Sequence, residues 1–505
     1  MSAGPTVPNE VRRQPLSDDA RLAARNAAKL ILSLAATWSV ALVVRLWLPR
    51  HLGPEKFGLF SLAESLAVTY IGFTTLGIDD YTQREIPVRP RHASDYFGGV
   101  TALRLCLGVL LLIALWASLR LSGRSAETIA VATVFGLGYV AQIFTQSQGV
   151  FLTARGTVNR LAITNVVAKL AWGGFLLVAL VLGAPLAVLA AAFLVGQLVR
   201  AAMLHAESSS HGLEYRIDVR AVRAVVLAST PYFANQAALY LNRLDVPILA
   251  YVTGDDRAVG WYGAAMSFSQ LVFLVAPVMG SVLLPLMSRA WARSESDLWM
   301  VVHKCAGGII ALATPIALVV MLGADIWIRL AFGESFGPAV LSLRVFALQA
   351  VLTYLTLLMA MALVAAGRAW RLTLSSAIAI VARVALVAAL VPPCARVFGT
   401  GGAGAGAALA VVLTELVALS VMLRGLRRQA LGDRLPAQTA KSILAFLAAS
   451  AVHVALGGLG PWRLPIDVAV YLGLALLLGA LPLGELVGFV REAIAARRTE
   501  SSPAS

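Results

Sequence analysis

Apolar stretches of about twenty residues follow one another along nearly the whole chain, and each is long enough to cross a ~30 Å hydrocarbon core as a helix. Hydrophobic residues make up 59% of the 505 positions and charged residues only 13%. That balance leaves no polar faces for the several domains a soluble chain of this length would form. The chain reads as an all-α polytopic membrane protein. The apolar runs begin near Ala27, Gly58, Gly98, Glu127, Arg160, Pro185, Val222, Val259, Val301, Pro338, Trp370, Ala403, Thr439 and Pro465. They predict about 14 transmembrane helices joined by loops too short to hold a separate domain. The longest outward loop is expected at Asp325–Gly337.

The net charge of +15 does not indicate nucleic acid, because the cations are spread over short loops instead of clustering on one surface. Cys106, Cys305 and Cys394 have no paired spacing, so neither a disulfide framework nor a metal site is expected. The first apolar run, Ala27–Leu48, is too long for a secretory signal and runs into Arg45, Pro49 and Arg50 without a cleavage motif. It reads as a retained helix behind a polar arm.

Loop charge orients the chain. With the N-terminus inside, one side collects Arg12, Arg13, Arg21, Arg25, Arg84, Arg89, Arg91, Arg155, Arg160, Arg216, Arg220, Arg223 and most later loop cations, while the other keeps only a few, such as Arg50, Lys56, Arg120 and Arg124. Positive loops stay in the cytoplasm, so both termini are expected there. Asp79 and Asp80 then fall in a cytoplasmic loop beside Arg84, solvated or in a salt bridge, and not among the outward catalytic acids of a membrane glycosyltransferase.

The chain also repeats itself. Leu52-Gly53-Pro54-Glu55-Lys56-Phe57-Gly58 after the first run matches Thr253-Gly254-Asp255-Asp256-Arg257-Ala258-Val259-Gly260 after the seventh. Likewise, Ala154-Arg155-Gly156 after the fourth run matches Ala366-Gly367-Arg368 after the tenth. An offset of six helices preserves orientation, which predicts two parallel six-helix repeats plus two C-terminal helices. The expected divisions are a polar arm (1–26), a first bundle (27–205), a cytoplasmic linker (206–221), a second bundle (222–428), two extra helices (439–484) and a cytoplasmic tail (485–505). The tail mixes apolar and charged residues as an interfacial helix or a frayed extension would.

Lone charges inside the apolar runs are costly, and such residues face a cavity or a partner. Arg45, Lys169, Arg243 and Arg383 are the candidate substrate-binding residues, and their sign points to an anionic cargo. The repeat places Lys169 with Arg383, and Arg45 with Arg243, on equivalent helices. Glu64, Asp245 and Glu415 are candidates for coupling to protons or sodium, or for structural pairing with the buried arginines. Gln142, Gln146, Asn165, Asn235, Gln236, Asn242 and Gln270 are candidate hydrogen-bonding partners for sugar hydroxyls or for neighbouring helices. No catalytic residue and no cofactor is expected.

The motif Arg50-His51-Leu52-Gly53-Pro54-Glu55-Lys56-Phe57-Gly58, then Leu76-Gly77-Ile78-Asp79 and Arg84-Glu85-Ile86, resembles the start of the polysaccharide-export flippases. Tyr240-Leu241-Asn242-Arg243-Leu244-Asp245, Pro285-Leu286-Met287-Ser288-Arg289 and Phe332-Gly333-Glu334-Ser335-Phe336 extend the resemblance, which covers roughly 25–428. That family shares its superfamily, MOP, with lipid II flippases and MATE exporters. The resemblance implies two six-helix bundles in a V that opens alternately to each side. It also implies export of O-antigen or capsule oligosaccharide on undecaprenyl pyrophosphate across the bacterial inner membrane, and a pyrophosphate suits buried cations. The expected partners are the lipid-linked oligosaccharide and the inner-membrane lipids, with a polymerase or ligase as a candidate protein partner and a monomer as the assembly. A MATE-like cation antiporter is the alternative, although organic cations favour acidic or aromatic cavities. A polysaccharide polymerase or glycosyltransferase, which needs a large outward loop, fits least.

Overall fold

The computed structural model describes residues 16–88, 93–154, 157–210, 213–241, 243–271, 276–424 and 434–480, with side chains described from Ser39 onward except for short stretches. The described residues are 91% helical and contain no strand. Nine helical segments among them are long and apolar enough to cross a membrane by length and composition. The expected tail at 485–505 lies outside the described residues.

The first helix, α1 (Leu16–Gly72), starts inside the arm expected to be polar. Ser17, Asp18 and Asp19 sit at its start, where carboxylates favour the helix dipole, and the Ala- and Leu-rich segment that follows is strongly helix-forming. The helix passes through both of the first two expected spans and breaks at Gly53, whose φ of 73° and ψ of 169° are non-helical. Pro54 opens the second arm. A proline is tolerated in a first helical turn because its missing N–H would be unsatisfied there. A short turn with Leu76 at φ 49° leads to α2 (Ile78–Val88). Then follow α3 (Ala93–Leu121), α4 (Ala126–Ala154), α5 (Val158–Val181) and α6 (Leu186–Ser210).

The irregular part of the linker is shorter than 206–221, because α6 reaches Ser210 and α7 begins at Val219. The seventh and eighth expected spans are both broken. The pieces are α7 (Val219–Leu241) with α8 (Asp245–Thr253), and α9 (Asp256–Ser269) with α10 (Ala276–Arg293). In each case a proline, Pro247 or Pro277, lies in the first turn of the following helix, where an unbroken helix would need its missing N–H. Next come α11 (Glu295–Leu322), α12 (Ala324–Phe332), α13 (Ala339–Ala365), α14 (Ala369–Phe398) and α15 (Gly402–Arg424). The segment expected as the loop Asp325–Gly337 is therefore helical. Ala324, Ile328, Phe332 and Phe336 recur at helical spacing and are buried in the main core. The chain continues with α16 (Arg434–Ala455) and α17 (Arg463–Leu477), which pack on α11.

Helices that the repeat makes equivalent have equivalent neighbours. α4 packs along α6 as α13 packs along α15, and α5 packs along α6 as α14 packs along α15. The main core draws on both groups, with Phe57, Leu62 and Phe135 from one and Val259, Tyr262, Phe346 and Val411 from the other. The largest contact between the groups is the crossing of α1 and α9. There Gly58 and Gly260, which the repeat aligns, meet backbone to backbone. A Cβ on Gly58 would strike the Asp256 carbonyl, and one on Gly260 would strike the Pro54 carbonyl. Small residues allow such approach where lipid leaves packing as the main driving force.

Ion pairs flank this crossing, Arg257 to Glu55 at 3.0 Å and Arg124 to Asp256 at 3.7 Å. At the opposite end the groups meet through α7, which packs on α2 and α3. Gln236 Nε2 donates to Asp80 Oδ2 at 2.8 Å, and Gly77 (φ 70°) lies against the backbone of Phe233. Outward faces such as Leu110, Val181 and Val381 remain apolar and exposed, as expected where lipid is the solvent.

Candidate functional site

Arg45 lies eight residues before the Gly53 break and Glu64 eleven residues after it. At 1.5 Å per residue they sit roughly 12 and 16 Å from the bend, well within the depth of a bilayer core. Both side chains are exposed, as is Arg243. Glu64 and Arg243 each lie within electrostatic reach of Arg45. Side chains from α1, α4, α5 and the break between α7 and α8 thus come within electrostatic reach of one another. Arg45 Nη1 donates to Gln270 Oε1 at 2.8 Å, bridging α1 to the end of α9. The Tyr139 hydroxyl, on α4, hydrogen-bonds Glu64. Lys169, on α5, reaches the fields of Arg45 and Glu64, and its Nζ stands 3.8 Å above the centroid of the Trp172 ring. At the break, Ser65 Oγ donates to the Arg243 carbonyl at 2.7 Å, satisfying one of the acceptors freed there.

A second, closed group adjoins the first. Asp245 is 3% exposed and accepts the Tyr262 hydroxyl at 2.5 Å and the Val246 N–H at 3.0 Å. Arg383 is buried within reach of Tyr262 and Glu415. Glu415 is hydrogen-bonded to Thr353 and Thr356. Arg243 acts on Tyr262 as well as on Arg45, so it stands between the open and closed groups.

All seven charges singled out in the sequence thus fall into one connected region, although they differ in access. Arg45, Glu64 and Arg243 are open, Lys169 is half-buried under its cation–π contact, and Asp245 and Arg383 are buried. With every group ionised, four cations face three carboxylates, so the positive excess is a single charge. Among the candidate amides, Gln270 joins the site and Gln236 serves the α2–α7 contact. Asn242 and the Asn235 side chain lie outside the described residues.

Two interior cations escaped the sequence reading. Arg104 on α3 is completely buried. It binds Asp79 through both terminal nitrogens at 2.9 and 3.0 Å, Ser147 Oγ at 2.7 Å and the Thr74 carbonyl at 3.1 Å. Asp79 and Asp80 accordingly lie in the first turn of a helix and not in a loop, and the partner of Asp79 is Arg104. On α6, Arg200 Nη1 donates to Thr145 Oγ1 of α4 at 3.4 Å, and that hydroxyl also bonds Gln197 at 3.2 Å. Both arginines are lone cations within apolar runs, the same signal that singled out Lys169.

Comparison with known proteins agrees with this architecture. The lipid II flippase MurJ in an inward closed conformation superposes with a TM-score of 0.67 at 13% identity, covering 90% of this chain and 100% of that one. An inward-facing multidrug resistance MATE family transporter of the MOP superfamily gives 0.60 at 16% identity, over 78% of this chain and 98% of that chain. A MOP superfamily transporter from Pyrococcus furiosus, described as having a binding pocket of reverse polarity, gives 0.55 at 17%, over 80% and 96%. At these identities the likeness is one of fold. No curated protein sequence matches the chain. A sequence profile does match it over residues 23–291, more than half its length. This multi-pass, nearly all-helical membrane chain with a MOP-type transporter fold belongs to the polysaccharide biosynthesis protein family.

Proposed function

We propose that the chain is a flippase that carries an oligosaccharide linked to undecaprenyl pyrophosphate across the bacterial inner membrane by alternating access. The cluster of the open Arg45 and Arg243 with the half-buried Lys169 carries this reading. A pyrophosphate leaving water needs charge-assisted donors, and each is worth about 1.5–3 kcal/mol. In this reading α7–α8 and α9–α10 each form one interrupted crossing, for fourteen crossings in all, with both termini cytoplasmic. The first bundle (27–205) and the second (222–428) rock about the shared site, and the Gly58–Gly260 crossing closes the periplasmic side. The helices at 439–484 lie outside the moving pair. Any polymerase or ligase docks on the loops.

The test is reconstitution into liposomes with a fluorescent undecaprenyl-pyrophosphate oligosaccharide, scored by accessibility to an external sugar-cleaving enzyme. Replacing Lys169 or Arg45 with glutamine is expected to slow transport roughly 10- to 150-fold, the loss of one charge-assisted contact, with folded protein unchanged. Undiminished transport removes these residues from the site. The three carboxylates in the region, Glu64, Asp245 and Glu415, favour a second reading as a cation exporter. Uptake of organic cations by the same vesicles, lost in Glu64→Gln, would decide for it.

A further inference from the structure

We infer that the indole of Trp172 is a sugar-stacking platform that Lys169 covers until the anionic part of the cargo draws the lysine away. The inference rests on the reading of the cargo as a saccharide joined to a pyrophosphate. Lys169 and Trp172 are three residues apart on α5 and therefore share a face. The ammonium stands 3.8 Å above the ring, so the ring borders the space in which Lys169 meets the fields of Arg45 and Glu64. The indole cannot swing away easily at its root. Its Cβ lies so close to Gly196 of α6 that a methyl group there would sit 2.8 Å from it, while the residue as a whole is only half-buried.

An aromatic face attracts positive charge density, either a full ammonium charge or the polarised C–H groups on the flat face of a pyranose. An ammonium prefers a phosphate oxygen to a ring, because the charge-assisted bond is the stronger of the two. Arrival of the anion therefore uncovers a ring lying about one helical turn, ~5 Å, from the cation that holds it. That spacing suits the first sugar attached to the pyrophosphate. In the region that Lys169 shares with Arg45 and Glu64, the Tyr139 hydroxyl, Glu64 and the Gln270 amide supply donors and acceptors for sugar hydroxyls. Lys169 thereby reads the anion and Trp172 the sugar, making Trp172 a specificity-determining residue.

The test measures binding of two lipids to the full chain in nanodiscs: undecaprenyl pyrophosphate without sugar, and the same lipid bearing a tetrasaccharide. Trp172→Ala is expected to weaken binding of the glycosylated lipid about tenfold and not to weaken binding of the sugar-free lipid, because Lys169 then has no ring contact to give up. Trp172→Phe keeps a ring of smaller face and falls between the two, which guards against a folding defect in the alanine variant. Equal losses for both lipids would assign the ring to holding Lys169, and no loss for either would leave the sugar unread by it; each result overturns the inference. A wild-type chain that binds neither lipid overturns the cargo reading, and this inference with it.

Discussion

Substituting Gly58 by alanine tests whether the backbone crossing of α1 and α9 holds the two groups of helices together. The added methyl would overlap the Asp256 carbonyl and come within 2.8 Å of the Gly260 nitrogen. Neither obstacle is the end of a flexible side chain, so the helices themselves must separate by about an ångström. Overpacking of this kind costs about 1–3 kcal/mol, which lowers the population of the closed crossing roughly 5- to 150-fold relative to open forms. Gly174 supplies the control. It lies within α5, and a methyl group added there would meet nothing within 4 Å, so Gly174→Ala should be neutral or stabilising by about 0.5–1 kcal/mol. Spin labels at Ser122 and Glu334, exposed positions at this end, report the separation by pulsed electron resonance. Gly58→Ala is expected to shift the distance distribution to longer values, and adding Gly260→Ala should contribute less than its separate effect because the two share one contact. An unchanged distribution in Gly58→Ala, with Gly174→Ala equally silent, would refute the claim that this crossing sets closure.

Arg104→Ala leaves the partly exposed Asp79 without its cation and removes the four hydrogen bonds of a buried guanidinium, and it is expected to destabilise the fold by about 3 kcal/mol, read as a large fall in thermal unfolding temperature in detergent. Asp79→Asn leaves the completely buried Arg104 charge without a counter-ion and should lose a comparable amount. At the Gly58 end, burial raises the Asp256 carboxyl above its ordinary value of 3.8, with Arg124 opposing. The folded form then binds a proton more readily than the unfolded chain, so the Asp256 contribution to stability grows as pH falls through the window just above 3.8. The difference in stability between wild type and Asp256→Asn should track that window, and a pH-independent difference would contradict it. Arg257→Ala removes an ion pair whose partners are both more than half exposed, and it should shift unfolding by less than about 1 kcal/mol.

The fold class was legible in the sequence because membrane helices announce themselves by length and hydropathy. The glycine spacing of the two equivalent hairpins revealed the repeat, but the meeting of Gly58 with Gly260 depends on how the two groups of helices pack, which spacing within one hairpin does not encode. The interruptions between α7 and α8 and between α9 and α10 were less plain. Their cues, Pro247 and Pro277, sit several residues into apolar runs that continue on both sides. The candidate charges were found one by one as unexplained cations and carboxylates. Which of them stay open and which close upon each other depends on partners on other helices, such as Tyr262 for Asp245 and Tyr139 for Glu64. Helical periodicity does not encode those pairings. Arg104 shows the same limit: its isolation was visible, but its pairing with Asp79 depends on the turn at Leu76 that swings α2 back beside α3.

The break between α7 and α8 has a consequence for solvent. Wherever a helix stops within the hydrocarbon, carbonyls and N–H groups lose their partners, and irregular backbone survives at that depth only inside protein or beside water. Ser65 takes up the carbonyl of Arg243, while the Arg243 side chain remains exposed. In the proposed flippase reading the interruption works as a standing wick that hydrates the centre of the molecule before cargo arrives, so that a polar headgroup exchanges one aqueous shell for another and never meets bare hydrocarbon.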